Sequence, residues 1–363
     1  MLHIQHHVPP EPFGGSYGSS PRGEVVYPKG VWDQLDFALA NPPLETKPWS
    51  RRGEKHTFTI TATKTLRRSQ ADGGSGGAHV VAGYIDQKTS NLYAAKIYDG
   101  LDYPLEDEDG ANCMALADED YALEASAYGV LQACPTVADK LVPTYYGSWT
   151  FPLSTNIPGR PRRWVRMILL ELIEGESMLD KIRRATVNGA VQYPLLPPED
   201  FRLRVLKNFI ETEITVSWDA EVNHHDKAPR NIMVRDNGSV VLIDFNQAVV
   251  YPMFGHPHPK YWEGGSPLRP SPIVRYWPFP PSRSRLADSE AQEGPWANWI
   301  PRRWLENKEY AAEWLLETWG DAPGEKYEAL SRYFLDAPEH VERGPKILRA
   351  LERLGRKPVA GRK

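Results

Sequence analysis

Cysteine is scarce: Cys113 and Cys134 are the two in 363 residues. A disulfide scaffold is thereby excluded, and the expectation is a reducing, intracellular location, cytoplasmic or nuclear. No uninterrupted apolar run approaches the roughly 20 residues that span a bilayer, so no membrane partner is expected. Neither sign of charge dominates: 43 Lys and Arg against 47 Asp and Glu leave a formal net charge of −4. A broad basic field for nucleic acid is therefore absent, and no nucleic-acid partner is expected. The opening MLHIQHHVPPEPFGG lacks a basic stretch followed by an apolar core, so it does not read as a secretory signal. No Gly-x-Ser-x-Gly elbow occurs, which leaves that class of hydrolase without support. His3, His6 and His7, or His256 and His258, have no cysteines or second cluster beside them and do not make a metal site.

Proline and glycine are plentiful, 33 and 28 residues, and unevenly placed. Residues 1–50 hold eight Pro and five Gly. Such a stretch cannot bury enough apolar surface to offset its ordering entropy, so residues 1–52 read as a disordered segment. Within it, VWDQLDFAL (31–39) has the composition of a short docking helix, ended by the prolines at 42, 43 and 48. Strand signals begin at residue 56 with HTFTITATKTL (56–66), followed by HVVAGYID (79–86) and LYAAKIYDG (92–100). ALADEDYALEASAYGVLQA (115–133) has helical periodicity. LVPTYYGSW (141–149) and RWVRMILLEL (163–172) read as two further strands. After Gly175 the chain turns helical, with Leu203, Leu206, Ile210 and Ile214 on one face of 201–222. A hairpin spans 231–245 about the Asp-Asn-Gly turn at 236–238. Residues 252–301 carry eleven prolines and read as irregular, and helical patterns return at 309–319, 326–335 and 346–355. Seven of the twelve tryptophans lie between Trp262 and Trp319, so this stretch is expected to pack on the helical part. A basic tail closes the chain at 356–363.

The strongest chemical signal is NHHDKAPRNIMV (223–234) followed by VVLIDFNQ (240–247). A His-x-Asp precedes an Asn by five positions, and an Asp-Phe follows a buried-strand run after one hairpin. Asp226, Asn231 and Asp244 are thus expected to converge. Phosphoryl transfer needs such a set: one carboxylate to orient the acceptor hydroxyl, and oxygen ligands for magnesium.

On these residues the chain resembles the protein-kinase superfamily, which includes small-molecule phosphotransferases, and it resembles uncharacterised fungal kinase-like proteins. His224, Asp226 and Asn231 match the catalytic loop, and Asp244-Phe245 the metal-binding motif. Tyr93-Ala94-Ala95-Lys96 matches the nucleotide-anchoring strand. The resemblance covers roughly residues 56–250. It implies an α+β, bilobal protein-kinase-like fold: a small antiparallel β-sheet lobe with one helix (53–175) and a larger, mainly α-helical lobe (176–355). It implies ATP and Mg2+ as ligands, with Lys96 on the phosphates, Glu124 as its partner, and Asn231 and Asp244 on the metal. Asp226 is the implied catalytic base, and Arg230 is placed to neutralise the transferring phosphoryl. Ala94 would cover the adenine, Glu171 and Ile173 would lie in the hinge along its edge, and Gly74 and Gly76 would cradle phosphate.

The departures are specific. His79 stands at the third glycine position, Asn246 replaces the glycine after Asp-Phe, His225 replaces the usual arginine, and Ala228 stands where a lysine is usual. No Ala-Pro-Glu follows Asp244, so the acceptor is left open between a protein hydroxyl and a small molecule. The alternative is a pseudokinase that binds nucleotide or a partner without turnover.

Overall fold

A computed structural model describes residues 5–7, 25–43, 60–67, 77–85, 92–106 and 110–253 (apart from 185, 188–189 and 192–195). It also describes 257–276 apart from 263–264, then 296, 298–320, 326–328, 348–349 and 352–353. The chain is α+β and divides into two compact units. The first comprises Met1–Ile173, Ala220–Asp226 and Asp244–His256, and the second comprises Glu174–Asp219, Lys227–Ile243 and Pro257–Lys363.

The first unit is built on an antiparallel sheet. Its strands are β1 (Gln5–His7), β2 (Ile60–Arg67), β3 (His79–Ile85), β4 (Tyr93–Tyr98), β5 (Tyr145–Ser154) and β6 (Arg162–Glu171), in the order β1-β5-β6-β4-β3-β2. Alternation sorts the side chains between two faces. Ala95, Trp149, Phe151, Val165, Met167 and Leu169 form an apolar cluster on one side. Ala94, Lys96 and Tyr98, one position out of phase, point the other way. Helix α2 (Cys113–Ala133) packs against β4, β5 and β6. It starts where the Asn112 side chain accepts the Ala115 N–H at 3.0 Å, and stops before Pro135.

Two parts of the first 52 residues are ordered, against the expectation of disorder. β1 pairs with β5, Gln5 opposite Thr150 and His7 opposite Ser148. That edge pairing is made by backbone groups and leaves no mark in side-chain pattern. Helix α1 (Gln34–Ala40) lies where the 31–39 stretch foresaw one. Asp33 and Asp36 cap it reciprocally, at 2.9 and 3.3 Å. Phe37 is buried, and the Gln34 amide donates to the carbonyls of Gly100 and Tyr103 at 2.8 and 2.7 Å. β5 begins later than the sequence pattern suggested, because Val137–Leu141 close backbone turns and Thr144 pairs with Glu171.

The second unit contains α3 (Met178–Arg184), α4 (Glu199–Asp219), α5 (Pro272–Tyr276), α6 (Arg302–Glu306) and α7 (Lys308–Trp319). Leu206, Phe209, Ile210 and Ile214 of α4 are fully buried. Ile232–Val234 pairs with Val240–Leu242, and Gly238 adopts φ +84° in the turn between them. The tryptophan-rich stretch packs on this unit as expected: Trp296 meets Phe209 at 5.2 Å, Trp299 Nε1 donates to the Met178 carbonyl at 3.1 Å, and Trp319 Nε1 donates to Glu211 at 3.0 Å. The helical patterns at 326–335 and 346–355 fall largely outside the described residues. Among the described residues, no helix is long and apolar enough to cross a membrane.

Glu213 on α4 is 2% exposed and anchors this unit. It accepts from Arg275 at 2.8 and 2.5 Å, from Lys227 at 2.5 Å and from the Tyr276 hydroxyl at 2.8 Å. Burial alone would raise its carboxyl, but Arg275 and Lys227 override that and hold it at about 2 instead of 4.5. A depressed carboxylate stabilises the fold above its unfolded pKa, and that contribution, on the order of 3 kcal/mol, is lost as pH falls from about 4.5 towards 2. Denaturant unfolding followed against pH should show this decline in the wild type and a shallower one in Glu213→Gln. The variant should also lose about 1–3 kcal/mol at neutral pH, because the partly buried Arg275 and Lys227 lose hydrogen bonds to a charged acceptor. Identical acid limbs would contradict the assignment.

Candidate functional site

Strand β4 and helix α2 bring a lysine and a glutamate together inside the first unit. Lys96 Nζ donates both to Glu124 Oε2 and to Asp244 Oδ1. Lys96 is 7% exposed and Glu124 is 0% exposed, so neither charge is solvated and each depends on the other. Burial tends to lower the Lys96 pKa, but Asp244 and Glu124 more than reverse it and hold the ammonium above the ordinary lysine range. Glu124 is gripped by two further donors. The Tyr98 hydroxyl reaches Oε2, and the Phe245 N–H reaches Oε1 at 3.1 Å. Strand alternation explains Tyr98, which lies two residues after Lys96 and faces α2 with it.

The Asp244 turn is held by α2 along its length. Asp120, Glu124 and Tyr128 stand at i, i+4 and i+8 and so share one helix face. Tyr128 meets the Phe245 ring at 5.3 Å, edge to face, and Tyr145 stacks on Tyr128 at 5.9 Å. His224 meets Phe245 at 4.4 Å, with the rings tilted. All three rings of the Tyr128–Phe245–His224 contact are buried. Asp120 accepts from the Tyr103 hydroxyl at 3.0 Å. Burial raises the Asp120 carboxyl to about 6, against the opposing pull of Lys96, Tyr103 and Asn246.

The His224–Phe245 contact also brings together the segments carrying Asp226 and Asp244. Val222–Asn223 pairs antiparallel with Val249–Val250, and the Asp226 N–H closes on the His224 carbonyl at 2.7 Å. His225 and Asp244 adopt left-handed backbone conformations, φ +58° and +69°. For non-glycine residues each costs on the order of 1–3 kcal/mol, and such strain gathers where surrounding contacts over-determine a functional turn.

The remaining expected site residues are distributed as follows. Ala94 sits opposite Leu170 on β6 and faces the same side as Lys96. Ile173 is buried. Glu171 is committed to Thr144: its carboxylate accepts the Thr144 N–H and hydroxyl at 3.1 and 3.2 Å, and its own N–H donates to the Thr144 carbonyl at 2.9 Å. Asn231 is buried in the second unit, where its carbonyl accepts the Ile243 N–H at 3.0 Å. Arg230 is exposed in the same unit, within the turn Pro229–Asn231. Gly74 and Gly76 lie outside the described residues. Sequence reasoning missed Tyr98 and Asp120. Tyr98 was legible from alternation with Lys96, and Asp120 from its i−4 relation to Glu124.

Two carboxylates on one ammonium leave a formal charge of −1 at the Lys96 cluster, and the Asp244 side chain is its more exposed end, at 14% against 0% for Glu124. Carboxylate oxygen with excess negative charge fits a hard divalent cation such as magnesium. Among the described residues no group of three or more His, Cys, Asp and Glu is gathered as a metal site.

Replacing Lys96 by Met should cost about 3–5 kcal/mol in denaturant unfolding, since it strands two buried carboxylates. Tyr98→Phe should cost about 1.5–3 kcal/mol, the value of a hydrogen bond to a charged group. Losses below about 1 kcal/mol for both would contradict the network described. No protein-family model matches the chain, and no curated protein matches it in sequence.

Proposed function

We propose that the chain is an ATP-dependent phosphotransferase of the protein-kinase type, moving the γ-phosphoryl group of Mg-ATP to a hydroxyl. The observation that carries this reading is the buried Lys96 ammonium shared by Glu124 and Asp244. A cation kept charged in a water-poor site by two carboxylates is an anchor for phosphate oxygens, and strongly perturbed groups of this kind mark functional sites. The resemblance of residues 56–250 to kinase motifs supports the same assignment.

Lys96 would bind the nucleotide phosphates, with Glu124 fixing its position and Tyr98 fixing Glu124. Asp244 would hold magnesium, and the resemblance assigns Asn231 a second ligand position. When bound, the metal neutralises charge on the phosphate oxygens. Ala94 would lie over the adenine. Glu171 and Ile173 would lie in the hinge along the adenine edge. Asp226 would accept the proton of the acceptor hydroxyl as the new O–P bond forms and the bond to ADP breaks, with Arg230 neutralising the transferring group. Positioning and electrostatics supply most of the rate in this chemistry. The acceptor is a protein hydroxyl or a small molecule, and product analysis with γ-labelled ATP and a lysate fractionated by size separates the two.

Transfer of label by the full chain should fall about 10²–10⁴-fold in kcat on Asp226→Asn, while KM for ATP changes only a few-fold. Equal residual rates in variant and wild type would replace this reading with a nucleotide-binding protein that does not turn over.

A further inference from the structure

We propose that Gln34 is a positioning residue for nucleotide phosphate: the two hydrogen bonds of its amide fix the turn 99–103, and that turn holds Gly77 at the end of the glycine run 73–77. The proposal rests on the reading of the Lys96 cluster as the phosphate site.

The chain leaves β4, the strand of Lys96, at Tyr98 and enters α2, the helix of Glu124, at Cys113. Between them the turn 99–103 bonds to several elements at once. Asp99 accepts both terminal guanidinium nitrogens of Arg163 on β6, at 2.5 and 2.6 Å, and its Oδ1 accepts the Leu101 N–H at 3.1 Å. Gly100 is pressed against α2, where an added Cβ would stand 2.2 Å from Met114 Sδ. The Tyr103 hydroxyl donates to Asp120 on α2 at 3.0 Å. The Asp102 carbonyl accepts the Gly77 N–H at 3.1 Å. Gly77 adopts φ +142°, a conformation open to glycine, so this bond fixes a residue whose own backbone is otherwise permissive.

Gln34 clasps this turn from α1. Its Nε2 donates to the Gly100 carbonyl at 2.8 Å and to the Tyr103 carbonyl at 2.7 Å. Both acceptors are carbonyls, so both N–H bonds of the amide are committed, and neither an aliphatic side chain nor a carboxylate could take its place. The helix presents the amide rigidly. Asp33 and Asp36 cap its start, Phe37 is 1% exposed, and the Asn41 side chain closes its end onto the Val26 N–H and carbonyl at 3.0 and 2.8 Å. Burial of Phe37 would suffice to dock the helix, since apolar contact is non-directional. Two directed bonds to residues 100 and 103 do more, because they set the orientation of the turn between them.

The test is binding of ATP with magnesium, and separately of adenosine, to the full chain as wild type, Gln34→Met and Gln34→Glu. Both variants keep the length of the side chain and leave Phe37 and the caps in place, while both lose the donor. ATP affinity should fall about three- to tenfold, the size of one hydrogen bond, and adenosine affinity should stay within about twofold. A general defect of the unit would weaken both ligands alike. Amide hydrogen exchange gives a second reading without ligand. The Gly77 N–H should exchange about threefold faster, or more, in Gln34→Met, with the Phe245 N–H that donates to Glu124 unchanged. Unchanged ATP affinity in both variants, an equal loss for adenosine, or unaltered exchange at Gly77 would overturn the proposal while leaving the nucleotide site standing. Wild type that binds no ATP would overturn the reading of the Lys96 cluster, and the proposal with it.

Discussion

The rest of the first unit depends on keeping one ammonium charged out of water. An isolated buried lysine loses its proton or drives the structure open, because desolvation of the charge costs several kcal/mol. Lys96 is kept by two carboxylates that arrive from different parts of the chain, Glu124 on a helix and Asp244 on a turn 148 residues away in sequence. Neither carboxylate could be buried alone either. The three groups therefore have to come together as a set, and strand β4, helix α2 and the Asp244 turn are fixed to one another by that requirement.

Apolar packing then makes the charge cluster rigid. The sheet puts its apolar cluster on one face and Lys96 and Tyr98 on the other, so one alternation supplies both a core and a site. Rings continue the support: Tyr145 on Tyr128, Tyr128 on Phe245, Phe245 on His224. Through His224 the packing reaches the segment that ends in Asp226. Two left-handed residues, His225 and Asp244, are the chain neighbours of His224 and Phe245 in this aromatic run.

Much of this was legible in the sequence, for identifiable reasons. Period-two alternation located β3, β4 and β6 within a few residues, and the helical period located α2 and α4. Lys96, Glu124 and Asp244 were singled out through the resemblance to kinase motifs, and these three meet in space. What escaped depends on tertiary distance. β1 joins the sheet edge by backbone bonds that carry no side-chain signature, so a Pro/Gly-rich context pointed to disorder instead. Tyr98 and Asp120 are ordinary residues in sequence, and their contacts appear only when the fold brings Tyr98 to Glu124 and Tyr103 to Asp120. The segments 220–226 and 244–256 were read as part of the helical half, yet they pack with the sheet unit, because His224 and Phe245 find their aromatic partners there. Glu171, expected along the adenine edge, makes three hydrogen bonds to Thr144 that its sequence context did not announce.

The central claim is that the Lys96 cluster is a nucleotide-phosphate and magnesium site. Thermal unfolding of the full chain alone, with ATP and magnesium, and with ATP and EDTA tests it most directly. Ligand at about 100 times its dissociation constant stabilises the native state by about 2.7 kcal/mol. At roughly 2–4 °C per kcal/mol, the account predicts a rise of several degrees with ATP and magnesium, smaller in EDTA and absent in Lys96→Met. No rise at saturating ATP and magnesium would contradict it.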